Sequence, residues 1–149
     1  MVTSISEVLS NINYWAVLAA TLSSMIVGMV FYHPKVMGAG WQRAVGHTGE
    51  SVQRGSKLIY LVPVVASICT AWVLAAVTGL AFAASGGSYF IVTTVCALVL
   101  YVGFTAARVL VHDAFDPRKF TVTGYTLLNE AITIFVMAII IGVWPPSGL

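Results

Sequence analysis

Charge is the scarcest property of this sequence. Only 8% of its 149 residues are Asp, Glu, Lys or Arg, whereas 59% are apolar, and an ordinary soluble domain carries about 25% charged residues. Seven basic and five acidic side chains are too few to cover a water-soluble domain of this length. The net charge of +2 is also too small for a nucleic-acid-binding surface, so nucleic acid is excluded as a partner.

Cysteine is rare as well, and neither copy lies in a ligand-like pattern. Cys69 and Cys96 both fall within apolar stretches, where a thiol packs as a small hydrophobic group. The sequence also lacks a glycine-rich phosphate loop, a zinc motif and a Ser-His-Asp arrangement. It therefore predicts neither a metal site nor a cofactor.

The sequence is instead rich in long apolar runs. They cover about residues 14–33, 59–82, 89–111 and 120–144, and about 20 residues suffice to cross a hydrocarbon layer of about 30 Å. Because lipid offers no partner for free backbone groups, such segments are predicted to be helices. We therefore expect an all-α membrane protein with a single four-helix transmembrane domain over residues 14–149. A short interfacial segment, residues 1–13, precedes it, and Ser4 and Glu7 there match a helix capping box.

Basic residues fall on one side of this arrangement. They are Lys35, Arg43, Arg54 and Lys57 in or beside the first connection, and Arg108, Arg118 and Lys119 around the third. By the positive-inside rule, the loop at residues 34–58 and the third connection are predicted to be cytoplasmic. Both termini are then predicted to lie on the non-cytoplasmic side.

Glu130 is the single carboxylate deep within a predicted span. It lies about 15 Å from the start of the fourth helix at 1.5 Å per residue, where an unpaired charge costs at least about 3 kcal/mol. The polar and apolar neighbours that share its helical face or adjoin it are Thr123, Thr126, Thr133, Met137 and Asn129. Glu130 is therefore predicted to be protonated, paired or solvated.

The third span carries a matching stripe. Its members are Thr94, Leu98, Tyr101, Thr105, Arg108 and His112. Because the third and fourth spans form an antiparallel hairpin, we predict a polar seam between them, with Arg108 approaching Glu130 directly or through Tyr101, Thr126 or water. The candidate binding residues are Glu130, Arg108, Tyr101, Thr126, Thr105 and Asn129. Alternatively, these hydroxyls only join helices, and Arg108 extends to the lipid headgroups.

Small residues repeat every four positions in the first two spans. They are Ala20, Ser24 and Gly28 in the first, and Ser67, Ala71, Ala75 and Gly79 in the second. Such faces let helix backbones approach closely, so they predict interfaces within one bundle or between protomers.

His33 and His112 lie at the predicted cytoplasmic ends of their helices. Two imidazoles at one depth are suited to metal or haem ligation, or to carrying protons toward Glu130. No third ligand is suitably spaced, so interfacial histidines without a ligand are the favoured interpretation.

Several short motifs lie along the chain: residues 13–18 (NYWAVL), 28–34 (GMVFYHP) and 40–41 (GW), and later residues 115–118 with Gly124 and Tyr125. The first three resemble the opening, and the last is similar to a second recurring region, of a bacterial membrane family catalogued as domain of unknown function 1761. The chain departs from the pattern at Phe31 and His33, where Trp and a small polar residue are more usual. The resemblance implies a four-helix, multi-pass protein of the bacterial cytoplasmic (inner) membrane, and it implies no reaction.

Three functions fit these features. The favoured hypothesis is an oligomeric binding or transport unit, with an intramembrane polar site between the third and fourth helices for a proton, small solute or lipid headgroup. A second is a non-catalytic accessory or scaffold subunit of a larger membrane complex. A third is a lipid-modifying enzyme that uses His33, His112 and Asp113 as acid and base groups. Enzymatic activity is not expected under the first two, and the expected partners are the lipid bilayer and either further copies or a larger complex.

Overall fold

Long apolar helices make up almost all of the structure, a computed structural model that describes residues 4–46, 58, 61–116 and 119–147. The helices are α1 (Ile5–Ser10), α2 (Tyr14–Phe31), α3 (Ala39–Val45), α4 (Leu61–Ser85), α5 (Tyr89–Ala114) and α6 (Phe120–Val143). Four of them, α2, α4, α5 and α6, are long and apolar enough to span a membrane. The described residues contain no strand, so the predicted all-α class with four membrane helices is confirmed.

The four long helices form a ring. Each packs on the next in the order α2, α4, α5, α6, and α6 closes the ring by its extensive contact with α2. The predicted small-residue faces lie inside this ring, where Ala20, Ser24, Ala71 and Ala75 are all buried. At these positions the small residues therefore serve packing within the chain, where they let α2 and α4 approach closely.

Asn13 joins the two ends of the chain at one end of the bundle. Its side-chain oxygen caps α2 by accepting from the Trp15 and Ala16 amides at 3.1 Å. Its side-chain nitrogen donates to the Trp144 carbonyl oxygen at 3.1 Å, just beyond α6. One side chain thus satisfies the free amides at the start of α2 and fixes the relative height of α2 and α6.

The short helix α1 lies at this same end of the bundle. Ser4 caps it by accepting from the Glu7 amide, and buried Val8 packs closely against Gly79 of α4. α1 therefore covers the second half of α4, and a side chain at Gly79 would displace it.

At the opposite end, α2 stops two residues before the predicted limit. His33 precedes Pro34 and has extended backbone angles, φ −64° and ψ 137°, because a residue before proline is disfavoured in a helix. Residues Pro34–Gly38 then form one π-helical turn. Gly38 is required there because a β-carbon would collide with the Tyr32 carbonyl oxygen.

The helix α3 packs on the part of α6 that extends beyond the shorter helix α2. α2 has 18 residues and α6 has 24, which correspond to about 27 and 36 Å at 1.5 Å per residue. Because Asn13 aligns them at one end, α6 extends beyond α2 at the other. α3 packs on this extension, with Gly40 directly against the Tyr125 hydroxyl.

We call this second end, where α2 and α5 end and α4 and α6 begin, the basic end. The described basic residues near it, Lys35, Arg43, Arg108 and Lys119, are all exposed. Arg54, Lys57 and Arg118, with much of the predicted loop at residues 34–58, lie outside the described residues. The cytoplasmic orientation of this end stays a prediction.

Packing is uneven along the bundle. The half remote from the basic end, here called the packed half, contains the most fully buried side chains. They include Leu74, Thr78, Thr93, Ala97, Met137 and Ile141. In contrast, no residue of α4 from 61 to 70, and none of α6 from 124 to 133, is buried. Within the described residues, the first part of α4 therefore contributes no buried side chain to the basic half.

Replacement of Asn13 by Ala should destabilise the bundle by about 2 kcal/mol, because it removes both a helix cap and an interhelical hydrogen bond. Asn13→Ser should recover about half of that loss, since serine caps a helix but cannot reach across to Trp144. Thermal unfolding in detergent measures the difference, and Asn11→Ala, at an exposed position nearby, is the control. Equal melting temperatures for wild type and Asn13→Ala would contradict this role.

Candidate functional site

Glu130 lies on the inward face of α6, at the boundary of the packed half. Met137 and Thr123, seven residues away on either side, are both buried, and a seven-residue step returns to nearly the same helical face. Ile134, one turn further into the packed half, is buried too. Glu130 itself is only half-buried, so its carboxylate lies where the core begins to open.

Two tyrosines approach this carboxylate from neighbouring helices. Tyr32 directly follows α2, Tyr101 belongs to α5, and both lie within electrostatic reach of Glu130. Tyr101 donates to the Leu127 carbonyl oxygen at 2.9 Å, three residues before Glu130. Phe31 and Trp41 hold the Tyr32 ring by edge contacts, with ring centres 5.1 and 5.2 Å away. The site is therefore framed by phenols from both sides.

The pKa of Tyr32 provides an electrostatic measure of this arrangement. Burial of the phenol raises its pKa above 10.0, and the nearby charge of Glu130 raises it further. Both effects have the same sign because each disfavours the ionised phenolate.

A π-helical turn in α5 decides which residues face the site. Residues Tyr101–Ala106 form this turn, whose hydrogen bonds skip one more residue than those of an α-helix and so rotate the following side chains. From the end of this turn onward, the half-buried positions of α5 are Thr105, Ala106, Val109 and Asp113, whereas Arg108 and His112 are exposed. The predicted stripe assumed an uninterrupted α-helix, and the turn shifts it by one residue.

The structure consequently does not bring Arg108 to Glu130. Among the described residues, no ion pair or hydrogen bond reaches the Glu130 carboxylate. Thr126 is half-buried, and its hydroxyl donates to the Val122 carbonyl oxygen at 3.2 Å. The side-chain oxygen of Asn129 is buried without a hydrogen-bond partner. Within the described part of the chain, the phenols of Tyr32 and Tyr101 lie within electrostatic reach of Glu130, and no cationic side chain pairs with it.

A second polar cluster lies at the basic end. Asp113 accepts a hydrogen bond of 2.7 Å from the Thr123 hydroxyl through one carboxylate oxygen. Its other oxygen lies 3.1 Å from His112 Nδ1. The Asp113 side chain is 7% exposed, whereas the His112 side chain is 71% exposed. The sequence interpretation named Asp113 only as a possible acid or base beside His112. The inward position of Asp113 follows from the π turn. No residue pattern in α5 predicted that turn.

His33, the other histidine candidate, has a local structural role. It is exposed, and its Nδ1 accepts from the Lys35 amide at 3.2 Å, which caps the π-helical turn after α2. Within the part of the chain that the structure describes, no group of three or more His, Cys, Asp or Glu side chains is placed to hold a metal ion.

The family model described as a protein of unknown function, DUF1761, matches residues 15–142. The chain belongs to this family. The DUF1761 match runs from the first turn of α2 to the last turn of α6, so it includes the whole helical ring and Glu130. It confirms the family resemblance found in the short motifs. Comparisons with curated proteins and with solved structures gave no match.

Tyr32 should ionise at a higher pH than an ordinary tyrosine, because burial raises its pKa, and the difference between ultraviolet titrations of wild type and Tyr32→Phe isolates its signal. Because its folded-state pKa lies above that of the unfolded chain, stability should fall as the pH rises through 10 and beyond. Glu130→Gln should shift the titration only part of the way back, since burial is the larger cause. An unchanged titration in Glu130→Gln would show that no charge at Glu130 acts on Tyr32.

Proposed function

We propose that this DUF1761 protein is a small membrane binding or transport unit whose intramembrane site, centred on Glu130, holds a proton or a small cation. The observation that carries the proposal is an inward-facing carboxylate with no cationic partner among the described residues. The predicted alternatives, a scaffold subunit and a lipid-modifying enzyme, do not account for an acidic group in this position.

The electrostatics of the site favour a positively charged ligand. An ionised carboxylate at membrane depth is costly unless an opposite charge or water compensates it. A bound cation or proton supplies that compensation, whereas an anionic solute would add like-charge repulsion. The buried oxygen of Asn129 and the nearby phenol of Tyr101 provide further oxygen atoms, the ligand type that hard cations prefer.

Access to the site is one-sided. Beyond Glu130, the packed half is closed by large side chains that are fully buried, among them Leu74, Met137 and Ile141. On the other side, residues 61–70 of α4 contain no buried side chain, so they do not close the bundle over Glu130. This asymmetry supports a site that is loaded from the basic half.

Glu130→Gln should abolish proton release on cation binding. Purified protein is mixed with sodium or ethylammonium, and a pH-sensitive dye records released protons. Wild type should release protons, and its apparent affinity should fall at lower pH because the proton competes for the same carboxylate. Glu130→Gln should lose at least about tenfold in affinity, equivalent to about 1.4 kcal/mol.

Glu7→Gln, which neutralises an exposed carboxylate on α1, is the matched control and should behave like wild type. If Glu130→Gln binds both cations as wild type does, the binding-site proposal fails and the scaffold alternative is favoured.

We further infer that the unit acts as a homo-oligomer. A single ring of four helices is small for a transporter, and symmetric homo-oligomers are the usual solution. The exposed first part of α4 supports an interface there, since Leu61, Val62, Val65 and Ile68 are large apolar side chains on its surface.

Cys69 offers a direct test, because it is exposed on this part of α4 whereas Cys96 is buried. Mild oxidation in membranes should produce a disulfide-linked dimer from wild type and from Cys96→Ser, but none from Cys69→Ser. Absence of the dimer in all three would place any oligomer contact elsewhere and contradict an α4 interface.

A further inference from the structure

We infer that His112, Asp113 and Thr123 form a proton relay that connects the surface at the basic end with Glu130. This inference rests on the proposed function, because Glu130 is its proton acceptor. It goes further by assigning a path and three positioning residues to the site.

The geometry of Asp113 carries the inference. Its side chain is 7% exposed although it lies in the last turn of its helix, and each of its two oxygens has a different partner. One oxygen is 3.1 Å from Nδ1 of His112, which is 71% exposed, and the other accepts from the Thr123 hydroxyl at 2.7 Å. The carboxylate therefore bridges a solvent-accessible imidazole on α5 and a hydroxyl on α6 that is 1% exposed.

Thr123 leads toward Glu130 along α6. Thr123, Thr126 and Glu130 are spaced by three and four residues, so they lie on one helical face. The distance from Thr123 to Glu130 along the axis is about 10 Å at 1.5 Å per residue. Thr126 lies between them, and water molecules beside it would complete the path.

The bundle also provides a reason for a separate proton path. Phe31, Val122 and Thr123 are buried near the basic end, so this part of the ring is closed to a solute. A proton needs no such opening, because hydrogen-bonded groups pass it from one to the next. Solute entry beside α4 and proton entry beside α5 can therefore be distinct.

Each transfer conserves protons and involves no oxidation or reduction. The His112 imidazolium gives its Nδ1 proton to Oδ1 of Asp113, and neutral His112 regains a proton at Nδ1 from solvent when its exposed ring turns outward. Thr123 faces the other oxygen, Oδ2, and donates to it. Rotation of the neutral carboxyl group and of the Thr123 hydroxyl then lets Asp113 donate to the Thr123 oxygen as Thr123 releases its own proton toward Thr126 and water. The final acceptor is the Glu130 carboxylate, which becomes neutral, so the net result is one proton moved from solvent to Glu130.

Titratable groups near this path, among the residues that the structure describes, come from each of the long helices. Tyr32 approaches Glu130 from the end of α2, and Tyr101 approaches it from α5. α4 contributes only Cys69, which is exposed. Around the basic end, the described titratable and charged residues are Lys35, Arg43, Arg108, Asp116 and Lys119, together with His33 and Tyr125. His112 is the exposed imidazole placed to pass protons into this path, because its Nδ1 lies 3.1 Å from the Asp113 carboxylate.

The rate at which Glu130 takes up a proton is the deciding measurement. Full-length protein in lipid vesicles is subjected to a rapid pH drop, and time-resolved infrared spectroscopy follows the protonated-carboxyl band that Glu130→Gln removes. Thr123→Val and Asp113→Asn should slow this band at least about tenfold, since a positioned proton-transfer group typically contributes more than that. The final amplitude at equilibrium should be unchanged.

Three further variants separate a relay from a merely structural role. Thr123→Ser should keep the wild-type rate because it retains the hydroxyl, and Thr121→Val, at an exposed position of the same helix, should do so too. His112→Ala should be slow, and added imidazole should restore its rate.

Wild-type rates in both Thr123→Val and Asp113→Asn would overturn the relay while leaving Glu130 as the proton site. Absence of any Glu130-dependent band in wild type would overturn the relay together with the proposed function.

Discussion

The cost of an uncompensated carboxylate in a low-dielectric interior is the constraint around which this bundle is organised. Water would solvate Glu130 at no expense, but a membrane interior does not. The chain places phenols from two neighbouring helices near the group and brings no cationic side chain to it among the described residues. Under the proposed function, a proton, a cation or water supplies the remaining compensation and connects the site to the outside of the bundle.

Two local backbone features bring this site together. Pro34 ends α2 early, which leaves Tyr32 at the height of the site rather than beyond it and allows α3 to pack on the extension of α6. The π turn in α5 then directs Asp113 toward α6 and leaves Arg108 exposed. The uninterrupted α-helical stripe predicted from the sequence would instead have placed Arg108 on the face toward α6. The chemistry of the site thus depends on one extra residue in one helical turn.

These two features also mark what could be predicted from sequence. The four helices follow from apolar runs of sufficient length, a local property, and the inward position of Glu130 follows from the regular spacing of α6. The neighbours of Glu130 on α5 could not be derived in this way. A face predicted from periodicity assumes uniform α-helix geometry. A π turn changes that geometry without changing the hydropathy of the apolar run that contains it. The approach of Tyr32 to Glu130 could not be derived from sequence either, because it depends on the relative heights of α2 and α6 set by Asn13.

The uneven packing of the bundle connects stability with function. A uniformly packed ring would bury Glu130 completely, at a cost that only a permanent partner within the chain could offset. A uniformly loose ring would not hold Tyr101 in hydrogen-bonding distance of α6. The packed half supplies rigidity through Leu74, Met137 and Ile141, whereas residues 61–70 of α4 contribute no buried side chain. The half-buried carboxylate therefore has rigid support on one side of this boundary. Under the proposed function, an exchangeable proton or cation compensates it on the other side, so the group can change its charge state without disrupting the core.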